Sequence, residues 1–94
     1  MTLNENIRRL RMARNISQVD LAKALGVTKQ SISNWENNNI QPSIDMLIRI
    51  CDYFRVTTDY MLGLEERNYI EISGLTDYEL AHITAIIDDI RKQK

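Results

Sequence analysis

The stretch QVDLAKAL-GV-TKQSISNWE, residues 18–36, decides the fold of this 94-residue chain. Its first part has the apolar spacing of an amphipathic helix, and Gly26 then ends that helix because glycine enters the left-handed conformation without penalty. Thr28 is a favourable N-cap for a second helix, with Val27 and Ile32 as a hydrophobic staple around it. The sequence therefore predicts two short helices that meet at a tight corner.

The second of these helices has two different faces. At about 100° per residue, Ile32 and Trp35 lie on one side, and a polar arc of about 140° lies on the other. The polar arc consists of Lys29, Gln30, Ser33 and Asn34. Glutamine and asparagine amides match adenine N6 and N7, and lysine matches guanine O6 and N7, so this face suits base edges in a DNA groove. A surface helix of an ordinary domain also has a polar face, so periodicity by itself leaves both interpretations open.

Capping signals predict four more helices. A first helix at about residues 3–14 begins with a capping box of Thr2 and Glu5, and a fourth helix begins at Pro42-Ser43. A short fifth helix follows Thr57, and a last helix at about 77–94 follows Thr76. Between them, residues 64–68 form a charged connector and residues 69–72 alternate like a short strand. The predicted fold class is all-α, with a compact five-helix domain over residues 1–64, and a connector and C-terminal helix over residues 65–94.

Charge is distributed unevenly along the chain, although the net charge is only −1. Residues 1–30 carry six basic and two acidic side chains, a local charge of +4, whereas residues 65–94 carry a local charge of −3. A basic front would orient the molecule toward a polyanion, while ordinary solvated faces explain the same numbers. The single cysteine fits a reducing compartment, and the sequence shows neither a signal peptide nor a transmembrane stretch. These features predict a cytoplasmic protein without a membrane partner.

Catalysis and metal binding find little support in the sequence. Cys51 and His82 would be the partners of a thiol–imidazole pair, but Cys51 falls on an apolar stripe and no third orienting group is evident. Zinc needs about four ligands, and this chain has one cysteine and one histidine. The sequence also contains no glycine-rich phosphate loop. We therefore predict no enzyme activity, no cofactor and no metal.

Several stretches carry a resemblance to a known family: IRRLR at 7–11, SQVDLA at 17–22, LGV at 25–27, SISNWE at 31–36 and PS at 42–43. In these stretches the span 7–63 resembles the helix-turn-helix domain of lambdoid phage repressors and Cro, the XRE-type transcriptional regulators. The resemblance implies a repressor-like fold and sequence-specific binding of double-stranded DNA through the major groove. It also implies control of transcription, with repression as the expected outcome.

The resemblance further implies roles for individual residues. The bases would be read by Thr28, Lys29, Gln30, Ser33 and Asn34. The phosphates would be contacted by Arg8, Gln18, Asn37, Asn39 and Ser43. Gln18 would also brace Lys29, and Arg11 and Glu36 would form a buried ion pair. Two departures from the family pattern matter: Asn38 stands where many relatives have glycine, and Lys29 replaces a glutamine, so known operator sequences do not transfer.

The C-terminal helix carries an apolar stripe at heptad spacing, made of Leu80, Ile83, Ile87 and Ile90. Two heptads are too few for a free coiled coil, so the stripe packs either on its own domain or on a second copy. We favour a second copy, because DNA readers of this type pair on two half-sites. An alternative function is an antitoxin-like adaptor that neutralises a protein partner with its acidic tail and autoregulates its operon.

Overall fold

Six α-helices form in the residues that the computed structural model describes, which are 1–65 and 72–94. The helices are α1 Leu3–Ala13, α2 Gln18–Leu25, α3 Lys29–Glu36, α4 Ile44–Phe54, α5 Thr58–Met61 and α6 Asp77–Lys92. No strand occurs within these two ranges, so the all-α prediction is confirmed. The predicted alternating stretch at 69–72 lies, except for Ile72, outside the described residues, as does the connector at 66–68.

The helices begin where the capping signals place them. The side chains of Ser17, Thr28, Ser43, Thr57 and Thr76 each accept a bond from the backbone N–H three residues on. Such a bond satisfies one of the four N–H groups that a helix start leaves without a partner. Local chemistry therefore defines the starts of these helices.

The turns are only partly those that the sequence predicts. Gly26 ends α2 with a φ of 71°, and Asn38 follows α3 with a φ of 59°, as expected of a glycine and a tolerant asparagine. Asn15 and Arg55 also adopt left-handed conformations, each with a φ of 56°. The Arg55 conformation has no signal in the sequence, because arginine does not favour it. Tertiary packing at the end of α4 therefore determines that turn.

Helices α1 to α5 share one hydrophobic core. Its buried members are Ile7, Leu21, Ala22, Leu25, Ile32, Trp35, Ile50, Cys51, Phe54 and Met61. Leu3, Leu10 and Leu47 are only partly buried and pack against this core. No residue of α6 is buried. The core therefore belongs to the first five helices, and the stripe on α6 is not part of it.

A buried asparagine ties α1 to α5. The side chain of Asn6 is 3% exposed. Its Nδ2 donates to the carbonyl oxygens of Tyr60 at 3.2 Å and Met61 at 3.1 Å. These carbonyls lie at the end of α5, where a helix lacks internal donors for its last oxygens. Asn6 therefore satisfies a buried helix end that would otherwise be costly.

Asn6→Ala should lower the free energy of unfolding by about 1–3 kcal/mol, because it leaves buried carbonyl groups without donors. Urea denaturation of the full chain measures this. Asn4→Ala on the same helix is the matched control, since Asn4 is less buried and its contact to the Glu36 carbonyl is long, at 3.5 Å. Equal losses for the two variants would contradict the role assigned to Asn6.

Candidate nucleic-acid interface

Helix α3 turns its apolar face toward the core and its polar face toward the surface. Ile32 is completely buried and Trp35 is 7% exposed, so both anchor the helix in the core. Lys29 and Gln30 are exposed, and Ser33 and Asn34 are half-buried. The polar arc therefore forms part of the surface, next to the glycine corner that joins α2 to α3. This geometry presents hydrogen-bonding groups outward from a helix whose other side is fixed.

Hydrogen bonds order the side chains of this polar face. The Nε2 of Gln30 donates to the Oδ1 of Asn34 at 3.1 Å. The Nδ2 of Asn37 donates to the hydroxyl oxygen of Ser33 at 3.2 Å. The Gln30–Asn34 bond uses one donor and one acceptor, and the glutamine oxygen and the asparagine amide hydrogens keep their capacity for other partners. The two amides thus present acceptors and donors side by side, as an adenine edge requires.

The carboxylate of Glu36 joins three helices at the base of α3. Glu36 is 6% exposed. The guanidinium of Arg11 on α1 donates to it twice, from Nε at 2.7 Å and from Nη2 at 3.0 Å. The Nε2 of Gln18, the first residue of α2, donates to the same carboxylate at 3.1 Å. The ion pair implied by the resemblance is thus present in the structure, and α2 takes part in it as well.

The bidentate geometry of this pair makes it strong and specific. Hydrogen bonds from Arg11 to the Glu36 carboxylate raise the pKa of the Arg11 guanidinium above its ordinary value, so the guanidinium stays charged. The remaining Nη1 of Arg11 donates to the carbonyl of Ile16 at 2.9 Å. Two parallel N–H···O bonds fix orientation as well as distance. The position of α3 relative to α1 and α2 is therefore tied to one buried carboxylate.

Three of the six basic side chains of residues 1–30 make contacts within the fold. Arg11 pairs with Glu36. Arg14 donates to the carbonyls of Tyr53 at 3.1 Å and Phe54 at 3.2 Å, at the end of α4. Arg9 donates to the hydroxyl of Tyr60. A helix end attracts cations, and the guanidinium of Arg14 also lies 5.3 Å and 5.0 Å from the two ring centroids.

The remaining basic residues of this segment, Arg8, Lys23 and Lys29, are exposed. Arg14 is exposed as well, although its guanidinium is engaged at the end of α4. Fewer cations than the sequence count indicates are thus available for phosphate contacts, and the salt dependence of binding should reflect the smaller number.

The residues expected at phosphates occupy different environments. Arg8, Asn37, Asn39 and Ser43 are exposed. The hydroxyl oxygen of Ser43 accepts the N–H of Met46 at 3.2 Å, so what α4 offers an anion is its helix start and first backbone N–H groups. Gln18 differs from expectation, because its amide nitrogen is directed at Glu36 and not at Lys29.

Arg49 lies near α2, although no pattern in the sequence predicts this position. Its Nη2 lies 3.8 Å from the point where a Cβ on Gly26 would stand. The guanidinium thus lies at the end of α2, where a cation is favourable. Its sequence position on α4 carries no signal for this contact, because the approach depends on how the two helices pack.

Cys51 and His82, the two residues considered for catalysis, occupy different environments. The Cys51 thiol is in the core, where burial raises its pKa, and its Sγ lies 3.9 Å from the carbonyl of Thr57. His82 is exposed on α6. Within residues 1–65 and 72–94, no group of three potential metal ligands occurs, and no helix is long and apolar enough to cross a membrane.

Comparison with known proteins identifies the class. The helix-turn-helix family model HTH_3 matches residues 7–61, which contain the α2–α3 corner and the polar face. The chain therefore belongs to the helix-turn-helix family of the XRE or Cro/C1 type. The domain is thus of the DNA-binding type found in transcriptional regulators.

The similar proteins are regulators of transcription and an antitoxin. The HTH-type transcriptional activator BcrR of Enterococcus faecalis is 38% identical over 66 residues, which are 70% of this chain and 32% of BcrR. Antitoxin PezA of Streptococcus pneumoniae serotype 4 is 27% identical over 78 residues, 83% of this chain and 47% of PezA. The chain thus matches less than half the length of these two relatives.

A solved structure extends the similarity to three dimensions. The P22 c2 repressor in complex with a synthetic operator has a TM-score of 0.65 and 29% identity to this chain. The match covers 69% of this chain and 98% of that one. The predicted repressor-like fold is therefore confirmed.

Arg11→Met should lower the free energy of unfolding by about 3 kcal/mol, because it leaves the Glu36 carboxylate buried without its cation. Adding Glu36→Gln should recover part of this loss, since a neutral amide costs less to bury. Urea denaturation of the two single variants and the double variant measures the coupling. The exposed Arg8→Met is the matched control and should change stability by less than about 0.5 kcal/mol. Additive effects of the two substitutions would contradict the coupling.

Proposed function

We propose that the protein is a dimeric repressor that reads a pseudo-palindromic operator through the major groove. Helix α3 enters the groove, and two copies place their α3 helices on half-sites about 34 Å apart, one turn of the duplex. Occupation of the operator then blocks transcription from the overlapping promoter. The protein acts in the cytoplasm, and a regulatory protein partner is compatible with this scheme.

The observation that carries the proposal is the polar face of α3, ordered by the Gln30–Asn34 hydrogen bond and fixed from behind by Ile32 and Trp35. Lys29, Gln30 and Asn34 are the main base readers, with Thr28 and Ser33 beside them. Hydrogen bonds that already hold the side chains reduce the entropy lost when they bind. Each well-formed bidentate contact contributes roughly 1–3 kcal/mol of discrimination against the wrong base pair.

Phosphate contacts orient the domain on the duplex. Arg8 supplies an exposed charge, and Asn37, Asn39 and the start of α4 at Ser43 supply polar contacts near the end of α3. Contacts of this kind fix register but carry little sequence information. The amide nitrogen of Gln18 has two hydrogens, and one of them bonds to Glu36. The other donates to a phosphate, so this side chain links the ion pair to the DNA backbone.

Dimerisation brings the second half-site into the complex. The stripe of Leu80, Ile83, Ile87 and Ile90 supplies the contact, because none of these side chains is fully buried in the single chain and apolar area remains for a partner. Ile90 is 51% exposed in the single chain. Burial of this stripe between two copies removes apolar area from water and doubles the number of base pairs read.

Gln30→Ala should relax base preference at one position of each half-site by about 1–3 kcal/mol, because a bidentate contact is lost. Selection of bound sites from random duplexes by the wild-type chain and by the variant measures this. Arg8→Ala is the matched control: it should weaken binding to all sequences alike and reduce the salt slope by about one. The base-reading assignment would be wrong if no sequence were enriched, or if Gln30→Ala left the enriched sequence unchanged.

Ile87→Asp should convert the protein to a monomer, because it places a charge in the middle of the dimer seam. Sedimentation equilibrium measures the mass, and operator titration should show weaker binding at the same protein concentration. Ala85→Asp adds the same charge at an exposed position outside the stripe and should leave the dimer intact. An unchanged mass for Ile87→Asp would contradict dimerisation through α6.

An antitoxin-like adaptor remains the second candidate, favoured by the similarity to PezA over 83% of this chain. The segment 65–94, with its local charge of −3, would then bind a basic toxin. Co-expression with a toxic neighbouring gene product distinguishes the two functions. If the Gln30→Ala variant still rescues growth and the Ile87→Asp variant does not, the result supports the adaptor. If no variant rescues growth, the result supports the repressor.

A further inference from the structure

Helix α6 carries an apolar face that is only partly covered in the single chain: Leu80, Ile83 and Ile87 are half-buried, and Ile86 and Ile90 are exposed. None of its residues is buried. Ile86, which lies beside the stripe, is 47% exposed, and Ile90 is 51% exposed. The helix has 16 residues, so it is about 24 Å long. If the protein dimerises through this helix, as the proposed function requires, the direction in which the two copies of α6 run is set by the side chains beside the seam.

A parallel pair of α6 helices would give the side chains beside the seam unfavourable neighbours. In heptad positions, Leu80 and Ile87 are a, and Ile83 and Ile90 are d. In a parallel pair each g position lies beside the e position of the next heptad in the partner. Ile86 would then lie beside Arg91 of the second copy, an apolar group against a cation. Glu79 would lie beside Thr84, so no ion pair between copies would form.

An antiparallel pair makes better use of the same residues. Position a of one copy then packs against d of the other, so Leu80 meets Ile90 of the second copy. Each e position lies beside an e position, which places Asp77 next to Arg91 of the second copy, twice by symmetry. Each g position lies beside a g position, so Ile86 meets Ile86 of the second copy and widens the apolar seam at its centre.

Glu79 does not compete for the arginine in this arrangement. Its Oε1 accepts the backbone N–H of Thr76 at 2.9 Å, and its own N–H donates to the Thr76 hydroxyl oxygen at 3.1 Å. This capping box engages the carboxylate at the helix start. Asp77 is therefore the carboxylate of the first turn that remains for a partner outside its own helix start.

We propose that α6 binds α6 of a second copy in the antiparallel direction, with the two-fold axis near residue 85. The two helix starts then lie about 24 Å apart along the pair, because 16 residues separate opposite ends. The two DNA-binding domains consequently leave the pair at opposite ends. This separation suits half-sites about 34 Å apart better than two domains leaving from one end.

Disulfide trapping in the full chain tests the direction. Leu80→Cys and Ile90→Cys variants, one of them carrying a mass tag, are oxidised separately and as a mixture. An antiparallel pair places residue 80 beside residue 90 of the other copy, within reach of a disulfide, but holds two residues 80 or two residues 90 far apart. We expect the mixed disulfide as the main product, and little dimer from either variant by itself. The wild-type chain is the control, since its Cys51 is buried.

The outcomes separate this proposal from the dimer on which it rests. Strong disulfide formation by each variant by itself would show a parallel pair, which overturns the direction and leaves the dimer standing. A monomeric mass for the wild-type chain in sedimentation would overturn both. A dimeric mass without any trapping would show that another surface makes the dimer, which also overturns the proposal.

A charge exchange tests the same geometry without a cysteine. Asp77→Arg and Arg91→Asp each create two like-charge contacts in an antiparallel homodimer, and mixing the two variants restores two opposite-charge contacts. We expect the heterodimer to exceed the statistical half of the mixture at low salt and to fall toward it at high salt. Each substitution disturbs its own helix equally in both dimers, so the helix dipole does not contribute to this preference. A purely statistical mixture would contradict the antiparallel pair.

Discussion

The buried carboxylate of Glu36 is the constraint on which the proposed DNA-reading surface depends. It stands at the last residue of α3 and accepts hydrogen bonds from Arg11 on α1 and Gln18 on α2. A carboxylate with so little solvent access is tolerated only when it is paired and hydrogen-bonded. Three helices are thereby tied together at one point, and α3 cannot rotate without breaking a charged contact. The polar face of α3 owes its fixed direction to this contact together with Ile32 and Trp35.

The basic residues of the N-terminal segment fall into two groups: some stabilise the fold, and others remain available to a ligand. Arg9, Arg11 and Arg14 contact tyrosine, carboxylate and helix-end carbonyl groups inside the chain. Arg8, Lys23 and Lys29 stay in solvent. Because three of the six cations of residues 1–30 are engaged within the chain, non-specific attraction to DNA should be weaker than the sequence count indicates, and discrimination has to come from the amides of α3 and from pairing two copies. This is the physical reason why a short helix and a dimer belong together in the account.

Much of the fold could be predicted from the sequence because its signals are local. Each N-cap lies within three residues of the group that it satisfies, and the two faces of α3 follow from helical periodicity. The contacts that were missed join residues far apart in the chain. The partner of Arg14 lies about 40 positions away and that of Asn6 about 55, and no local pattern encodes either approach. Gln18 is a similar case: its partner Glu36 lies 18 positions away, whereas the family resemblance implies a contact with Lys29.

The central claim is that the outer face of α3 reads bases, and a titration of the isotope-labelled full chain by nuclear magnetic resonance tests it most directly. The signals to follow are the side-chain amides of Gln30 and Asn34 and the backbone amides of residues 28–34. The account predicts that they shift strongly with a duplex carrying the selected operator and much less with a scrambled duplex of equal length. Equal shifts with both duplexes, or largest shifts on α5 with α3 unchanged, would contradict it.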